Sequence, residues 1–325
     1  MVVNDRLRAL DLPGASTLCL DDVIDLYQAL WPQRPALPAQ PQQVERLVDM
    51  LDHVDGLILD GYGVINVGNG PVEGIEAFFE TAQARAKPVV VLTNGASFPA
   101  AQTWQKYRDW GLPLNRYQVV SSRDVLEAHL AGMAGIDTQT VFGCLGETIT
   151  PLSGAGTSLA YGRDDDFWDR SDAFLFLGAL DWGMADQAAL EAAMMARPRP
   201  IHVANPDVSA PQSNNRFSAE PGYWAARLVH ALGQQGQRCA IHWHGKPNPL
   251  AFHMACERLN EIAGKPVEPA RIAMVGDSLH TDVLGGITAG LQTVLITDYG
   301  LFRGVEITPF LTRCGIRPHW IVNRL

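Results

Sequence analysis

Gly56-Leu57-Ile58-Leu59-Asp60-Gly61-Tyr62-Gly63-Val64 is an apolar run that ends in one carboxylate and turns through two glycines. A run of strand length without polar alternation is the pattern of a buried strand. It delivers Asp60 to the mouth of a sheet, where glycine lets another molecule approach the backbone closely. Three later stretches supply what a lone carboxylate lacks: Val89-Val90-Val91-Leu92-Thr93-Asn94-Gly95, His244-Gly245-Lys246-Pro247, and Ile272-Ala273-Met274-Val275-Gly276-Asp277-Ser278-Leu279-His280-Thr281-Asp282.

Around these stretches, strands alternate with helices. Strands are expected at 57–60, 88–92, 239–243, 271–275, 293–296 and 320–322, with helices after Pro71, from Pro247 and after Thr281. Such alternation implies an α/β fold, a doubly wound, Rossmann-like parallel sheet with helices on both faces. Ligands of such sheets sit beyond the carboxyl ends of the strands, where all four stretches end. The helix from Pro247 carries Ala251, Ala255, Leu259 and Ile262 along one face, and Lys246 stands just ahead of its N-terminus, a natural anion site.

The 325-residue chain is long enough for two domains. Residues 51–97 and 238–325 are expected to form the main sheet domain, and residues 98–237 an inserted α/β unit with its own short strands and helices. Residues 1–50 form an N-terminal helical extension. Its helix over 20–30 has Leu20, Val23, Ile24, Tyr27 and Leu30 near helical spacing, and a second helix is expected from Gln42. The extension is expected to be a docking or oligomer-contact arm.

A formal net charge of −10 without any Lys/Arg cluster argues against nucleic acid or an anionic membrane as the main partner. A phosphorylated ligand would then be held by local groups. The five cysteines, Cys19, Cys144, Cys239, Cys256 and Cys314, are scattered without a Cys-x-x-Cys pair, as expected for small apolar residues in a reduced compartment. Met1-Val2-Val3-Asn4-Asp5-Arg6 lacks the features of a signal peptide, and no stretch is apolar enough to span a bilayer, so a soluble, cytoplasmic protein is expected.

Taken in order, a strand-end Asp, a strand-end Thr, a Lys ahead of a helix and a strand-end Asp with a second Asp five residues on resemble the haloacid dehalogenase (HAD) superfamily. More than a hundred residues separate Thr93 from Lys246, as in its class II members. Asn205-Pro206-Asp207, Pro221-Gly222-Tyr223 and Gly245-Lys246-Pro247-Asn248-Pro249 look like the NagD-type sugar-phosphatase branch, class IIA.

The resemblance implies a phosphatase acting on a small phosphorylated metabolite. Asp60 would attack phosphorus to give an aspartyl-phosphate, and Mg²⁺ would be held by Asp60, the backbone carbonyl of Tyr62, Asp277 and Asp282. Thr93, the N–H groups of Asn94 and Gly95, and Lys246 would hold the phosphate oxygens. The inserted unit would be the cap that selects substrate, and relatives often pair as homodimers through it.

Each motif taken singly has a plainer reading, as a turn, a helix cap or a solvated charge; their order on successive strand ends is what argues for one site. At one position the chain departs from the pattern. The second Asp that usually serves as general acid and base, two residues after the nucleophile, is here Tyr62. A phenol of pKa about 10 donates a proton at neutral pH but is a poor base. Two alternatives follow: a catalytically weak or inactive ligand-binding or regulatory protein, and a dehalogenase-type hydrolase, whose halide leaves without a proton. His280 is expected in an outer-shell or exposed role, Asp181 and Asp207 at the cleft, and the Asp-rich 162–166 segment as a solvated turn.

Overall fold

The computed structural model describes residues 5–33, 35–36, 40–132, 140–146, 158–160, 162–163, 165–212 and 216–325. Strand Gly56–Leu59 is buried at every position. Its side chains alternate: Leu57 and Leu59 enter one apolar cluster with Phe78, Phe79 and Tyr107, and Ile58 enters another with Phe252, Ala255 and Leu259. The same division separates Val89 and Val91 from Val90 and Leu92. Period-two alternation thus covers both faces of the sheet with helices. Helices Ile75–Ala84 and Ala100–Asp109 lie on one side, and Pro249–Ala263 on the other.

Seven parallel strands form this sheet, in the order Gln42–Arg46, Trp320–Arg324, Gln292–Ile296, Ile272–Gly276, Gly56–Leu59, Val89–Thr93, Val119–Ser121. Leu59 is level with Val275 on one neighbour and Val91 on the other. Asp60 therefore leaves the sheet at its centre, with Asp277 and Thr93 one residue further along the flanking strands.

A second parallel sheet has the order Ile241–Trp243, Ile201–Val203, Ala173–Phe176, Val141–Leu145, Ser158–Ala160. Helix Pro221–Gln234 packs on one face. Helix Ser122–Gly132 lies between the two sheets: its Val125 joins the first sheet's cluster, and Leu126 and Leu130 join that of the second.

Four expectations are corrected. Residues 98–132 remain with the first sheet through Val119–Ser121, and Ile241–Trp243, expected in the first sheet, pairs instead with Ile201–Val203. Both are short apolar runs whose pattern specifies a strand but not its partner. Gln42–Arg46 is an edge strand, not a helix; it is polar and mostly exposed, so its backbone pairing with Trp320–Arg324 leaves no mark in hydropathy. The main helix begins at Pro249 with Asn248 as its cap, and Phe252, not the exposed Ile262, completes its buried face.

Helix Leu20–Leu30 forms as expected, but it is no free arm. Val23, Ile24, Leu26, Tyr27 and Leu30 are buried in a cluster shared by the second unit, through Tyr223 and Leu228, and the first sheet's domain, through Leu279, Val283 and Phe302. Arg163 pairs with Asp186 at 2.6 Å, while Asp164 of the Asp-rich segment falls outside the described residues. None of the five cysteines, all described, is in a disulfide. No described helix is long and apolar enough to cross a membrane.

Candidate active site

At the strand ends the chain buries more negative charge than it neutralises. Lys246, 1 % exposed, places Nζ 2.6 Å from Asp60 Oδ1 and 2.7 Å from Asp282 Oδ1. Asp277 completes the group: oxygens of Asp60, Asp277 and Asp282 lie within 4.8 Å of one another. Asp277 Oδ2 accepts the Leu301 N–H at 2.8 Å, and Asp282 Oδ2 accepts that of Ser278 at 3.1 Å. Asp282 is carried on a short π-helical turn, Leu279–Val283, a widening that recurs at functional sites.

The chain passes close enough to Asp277 that only glycine fits. Gly63 has φ +83°, and a Cβ there would lie 2.4 Å from Asp277 Oδ2; at Gly300, φ +66°, it would lie 2.0 Å away.

The titration of these groups follows from that crowding. Burial works against the Lys246 ammonium, but Asp282 and Asp60 outweigh it and raise its pKa above the ordinary lysine value. Burial, helped by Asp282 and Asp277, lifts Asp60 well above the carboxylate range against the pull of Lys246. Burial and the charge of Asp282 push Asp277 up to about 8.

Three buried carboxylates around one ammonium are the oxygen-rich, charge-deficient donor set that suits a hard divalent cation, and a cation there reverses the upward shifts. A carboxyl group whose folded pKa lies above its unfolded value binds its proton more tightly when folded. Its stabilisation is therefore full below about pH 4 and is lost as pH rises towards 8. In chelator, the unfolding temperature should fall between pH 5 and pH 8, on the order of 5 °C or more, and saturating Mg²⁺ should remove the fall. Thermal unfolding with and without Mg²⁺ at the two pH values measures this.

The Thr93-Asn94-Gly95 turn lies beside this cluster. Thr93 Oγ1 accepts the Gly95 N–H at 3.3 Å. Asn94 is a structural tie as well: its Oδ1 accepts the Lys246 N–H at 2.7 Å, and its Nδ2 donates to Asp207 Oδ1 at 2.8 Å. Tyr62 also faces the cavity, but its hydroxyl is occupied. It donates to the Pro211 carbonyl and accepts the Gly68 N–H at 3.0 Å, and burial raises its pKa above the ordinary phenol value. Pro211 lies in the hairpin Ser209–Pro211/Phe217–Ala219, so Tyr62 links the turn after Asp60 to that hairpin.

The sequence-predicted residues Asp60, Tyr62, Thr93, Asn94, Gly95 and Asp277 all line one cavity of about 260 Å³. Asp207 lines it too, with burial pushing its carboxyl up to about 6 against the pull of Lys246. Asp181 does not: it is exposed, on a turn at Leu180 and Asp181 between the buried Leu177 and Trp182. His280 is neither exposed nor in the carboxylate group; it is buried, with its ring stacked 5.5 Å from that of Tyr27.

Sequence reading missed Tyr27, Lys106, Asn205 and Glu220 in the cavity wall. Tyr27 reaches it from the N-terminal helix, and its hydroxyl accepts the Val208 N–H at 3.2 Å and donates to Asp207 at 3.4 Å. At helical spacing such a tyrosine reads as core, which it also is. Lys106 Nζ donates to Asn66 at 3.3 Å and stands 5.0 Å from the Tyr107 ring centre.

Residues 57–155 match a family described as haloacid dehalogenase-like hydrolase, and residues 243–325 match one described as HAD-hydrolase-like; together they span more than half the chain. The chain is 25 % identical over 240 residues to the acid sugar phosphatase of Staphylococcus haemolyticus, covering 74 % of this chain and 83 % of the relative. It is 25 % identical over 268 residues to the dihydroxyacetone phosphatase of Corynebacterium glutamicum, covering 82 % and 88 %. Among solved structures, a "possible sugar phosphatase" of Cytophaga hutchinsonii superposes with a TM-score of 0.72 at 24 % identity, covering 86 % of this chain and 97 % of that one.

Proposed function

Because the chain belongs to the haloacid dehalogenase-like hydrolases, we propose that it is a Mg²⁺-dependent phosphatase of a small phosphorylated metabolite, acting through an aspartyl-phosphate on Asp60. The observation that carries this reading is the Lys246 ammonium held between Asp60 and Asp282, with Asp277 in the same carboxylate group. Phosphoryl transfer needs an in-line nucleophile and neutralisation of the equatorial oxygens more than it needs covalent chemistry from the protein. Asp60 supplies the nucleophile, and Lys246 reduces its repulsion of an anionic substrate. The Thr93 hydroxyl and the N–H groups of Asn94 and Gly95 orient the phosphate.

Asp60, the Tyr62 carbonyl, Asp277 and Asp282 would hold Mg²⁺, which when bound supplies charge neutralisation at the transferring group. The cavity, about 260 Å³ and lined by Lys106, Asn66 and Asn205, suits a compact polar metabolite.

Proton transfer is the weak point. The hydroxyl of Tyr62 already donates to Pro211, and a phenol raised above pKa 10 does not activate water at neutral pH. Leaving groups that depart without a proton, as in aryl or acyl phosphates, are therefore favoured over alkyl ones. Asp207, tied through Asn94 to Lys246, is the carboxyl group best placed to share in proton transfer.

A panel of aryl and alkyl phosphates, with and without Mg²⁺, tests the reading. Phosphate release should require Mg²⁺, with kcat/KM at least about tenfold higher on aryl esters, the gap widening in Asp207→Asn and narrowing in Tyr62→Asp. Equal kcat/KM on both ester types would overturn the role given to Tyr62; kcat alone does not decide it, because hydrolysis of the aspartyl-phosphate is the same step for both. Halide release without metal, or binding of phosphate esters without turnover, would overturn the assignment as a phosphatase.

A further inference from the structure

Four of the nine histidines meet away from the carboxylate group. His202 and His242 are register partners on neighbouring strands of the second sheet, and His244 follows two residues after His242, so all three share one face. The His202 ring stacks on that of His242 at 4.7 Å and on that of His244 at 5.2 Å. Helix Ser122–Gly132 covers this face with Leu126 and Leu130 and brings the His129 ring to 4.8 Å from His244. One nitrogen each of His129, His202 and His244 lies within 4.8 Å of the others, and His202 Nδ1 is 3.0 Å from His244 Nε2.

The geometry points to a second metal site, in which His129, His202 and His244 bind Zn²⁺ or a like borderline divalent ion through three neutral imidazoles. Imidazole suits such ions, whereas carboxylate suits Mg²⁺, so the two sites differ in the chemistry they select. At metal–nitrogen bonds of 2.0–2.1 Å, nitrogens of a tetrahedral site stand about 3.4 Å apart. The His202–His244 pair is close to that spacing and needs only to part slightly.

Burial lowers the pKa of His202 to about 3 and that of His244 to about 2. Both rings are then uncharged at neutral pH, as metal ligation requires. A hydrogen-bonded imidazole pair alone accounts for the 3.0 Å distance. It does not account for a third imidazole nitrogen converging from a different element, nor for the cavity of about 420 Å³ walled by His129, His242 and His244. That cavity leaves room for entry and for a fourth, exchangeable ligand. An ion here would fasten helix Ser122–Gly132 to the second sheet two residues ahead of Lys246, and the site does not depend on the phosphatase reading.

The test uses the full chain without a polyhistidine tag, stripped of metal, with Mg²⁺ in excess to saturate the carboxylates, and Co²⁺ as the probe. One Co²⁺ per chain should bind with the intense visible absorption of a four-coordinate site, and Zn²⁺ should displace it. Apparent affinity should fall at least about 100-fold in His202→Ala and in His129→Gln, beyond the loss known for outer-shell partners. His129 is only half-buried, so His129→Gln decides the matter should His202→Ala fail to fold. Asp277→Asn should retain the band. Absence of the band, its persistence in His129→Gln, or its loss in Asp277→Asn would each overturn the proposal.

Discussion

Asp60→Asn is expected to lower Mg²⁺-dependent phosphate release by on the order of 10³-fold or more while leaving the protein folded. The amide has nearly the shape of the carboxylate, so Oδ1 can still face Lys246, 2.6 Å away in the native protein. It carries no charge and is no nucleophile towards phosphorus. Stability should not suffer, because the substitution removes one of three buried carboxylates clustered around a single ammonium. Burial already holds Asp60 well above the ordinary carboxylate range, so its ionised form is the costly one. Unfolding in chelator should show equal or higher stability for Asp60→Asn at pH 8, alongside the loss of turnover. Turnover within tenfold of native would remove Asp60 from the chemistry; should Asp60→Asn fail to fold, Asp60→Glu, which keeps the charge and moves the carboxylate, separates position from charge.

The sequence disclosed the ends of the central strands better than their surroundings. Leu57, Ile58 and Leu59 are apolar on both faces, so the strand, and with it Asp60, follows from hydropathy; the same holds for Val89–Thr93 and Ile272–Gly276. Asp60, Thr93, Asp277 and Lys246 were legible because each adjoins such a run or a proline-opened helix. What the sequence withheld is partnership between remote segments. Tyr27 lies thirty-three residues before Asp60 on a helix whose spacing marks it as core, and only docking of that helix puts its hydroxyl beside Val208 and Asp207.

Ile241–Trp243 carries a clear strand pattern, yet which sheet receives it depends on the competition between two edges, which no local period encodes. The imidazole group shows the same limit. The His-x-His spacing of His242 and His244 predicts a shared face, but His202 enters through strand register and His129 through helix packing.

Lys246→Met is expected to fail in a second, pH-dependent way. The methionine retains most of the buried stem and removes the cation between Asp60 and Asp282. Breaking a buried pair from one side costs about 3–5 kcal/mol, because the remaining charges keep their desolvation penalty without their partner. The carboxylates can escape that penalty only by binding protons. Asp60 and Asp277 are already raised by burial in the native protein, and loss of Lys246 raises them further. Each then binds its proton more tightly folded than unfolded, so the variant is most stable in acid and loses stability as pH rises above about 4. Native Lys246 has a raised folded pKa, so its own contribution is fully present at any pH below the ordinary lysine value of about 10.4. The deficit of Lys246→Met relative to the native protein should therefore be largest near pH 8 and shrink towards pH 5, with Mg²⁺ narrowing it at the higher pH. Phosphate release should fall about 10²–10³-fold, the scale of losing one preorganised electrostatic contact to a transferring group. Denaturant unfolding of both proteins at pH 5 and pH 8, without metal and with Mg²⁺, reads the first effect. A deficit of the same size at the two pH values would mean that the ammonium acts through packing and not through the charges of Asp60 and Asp282.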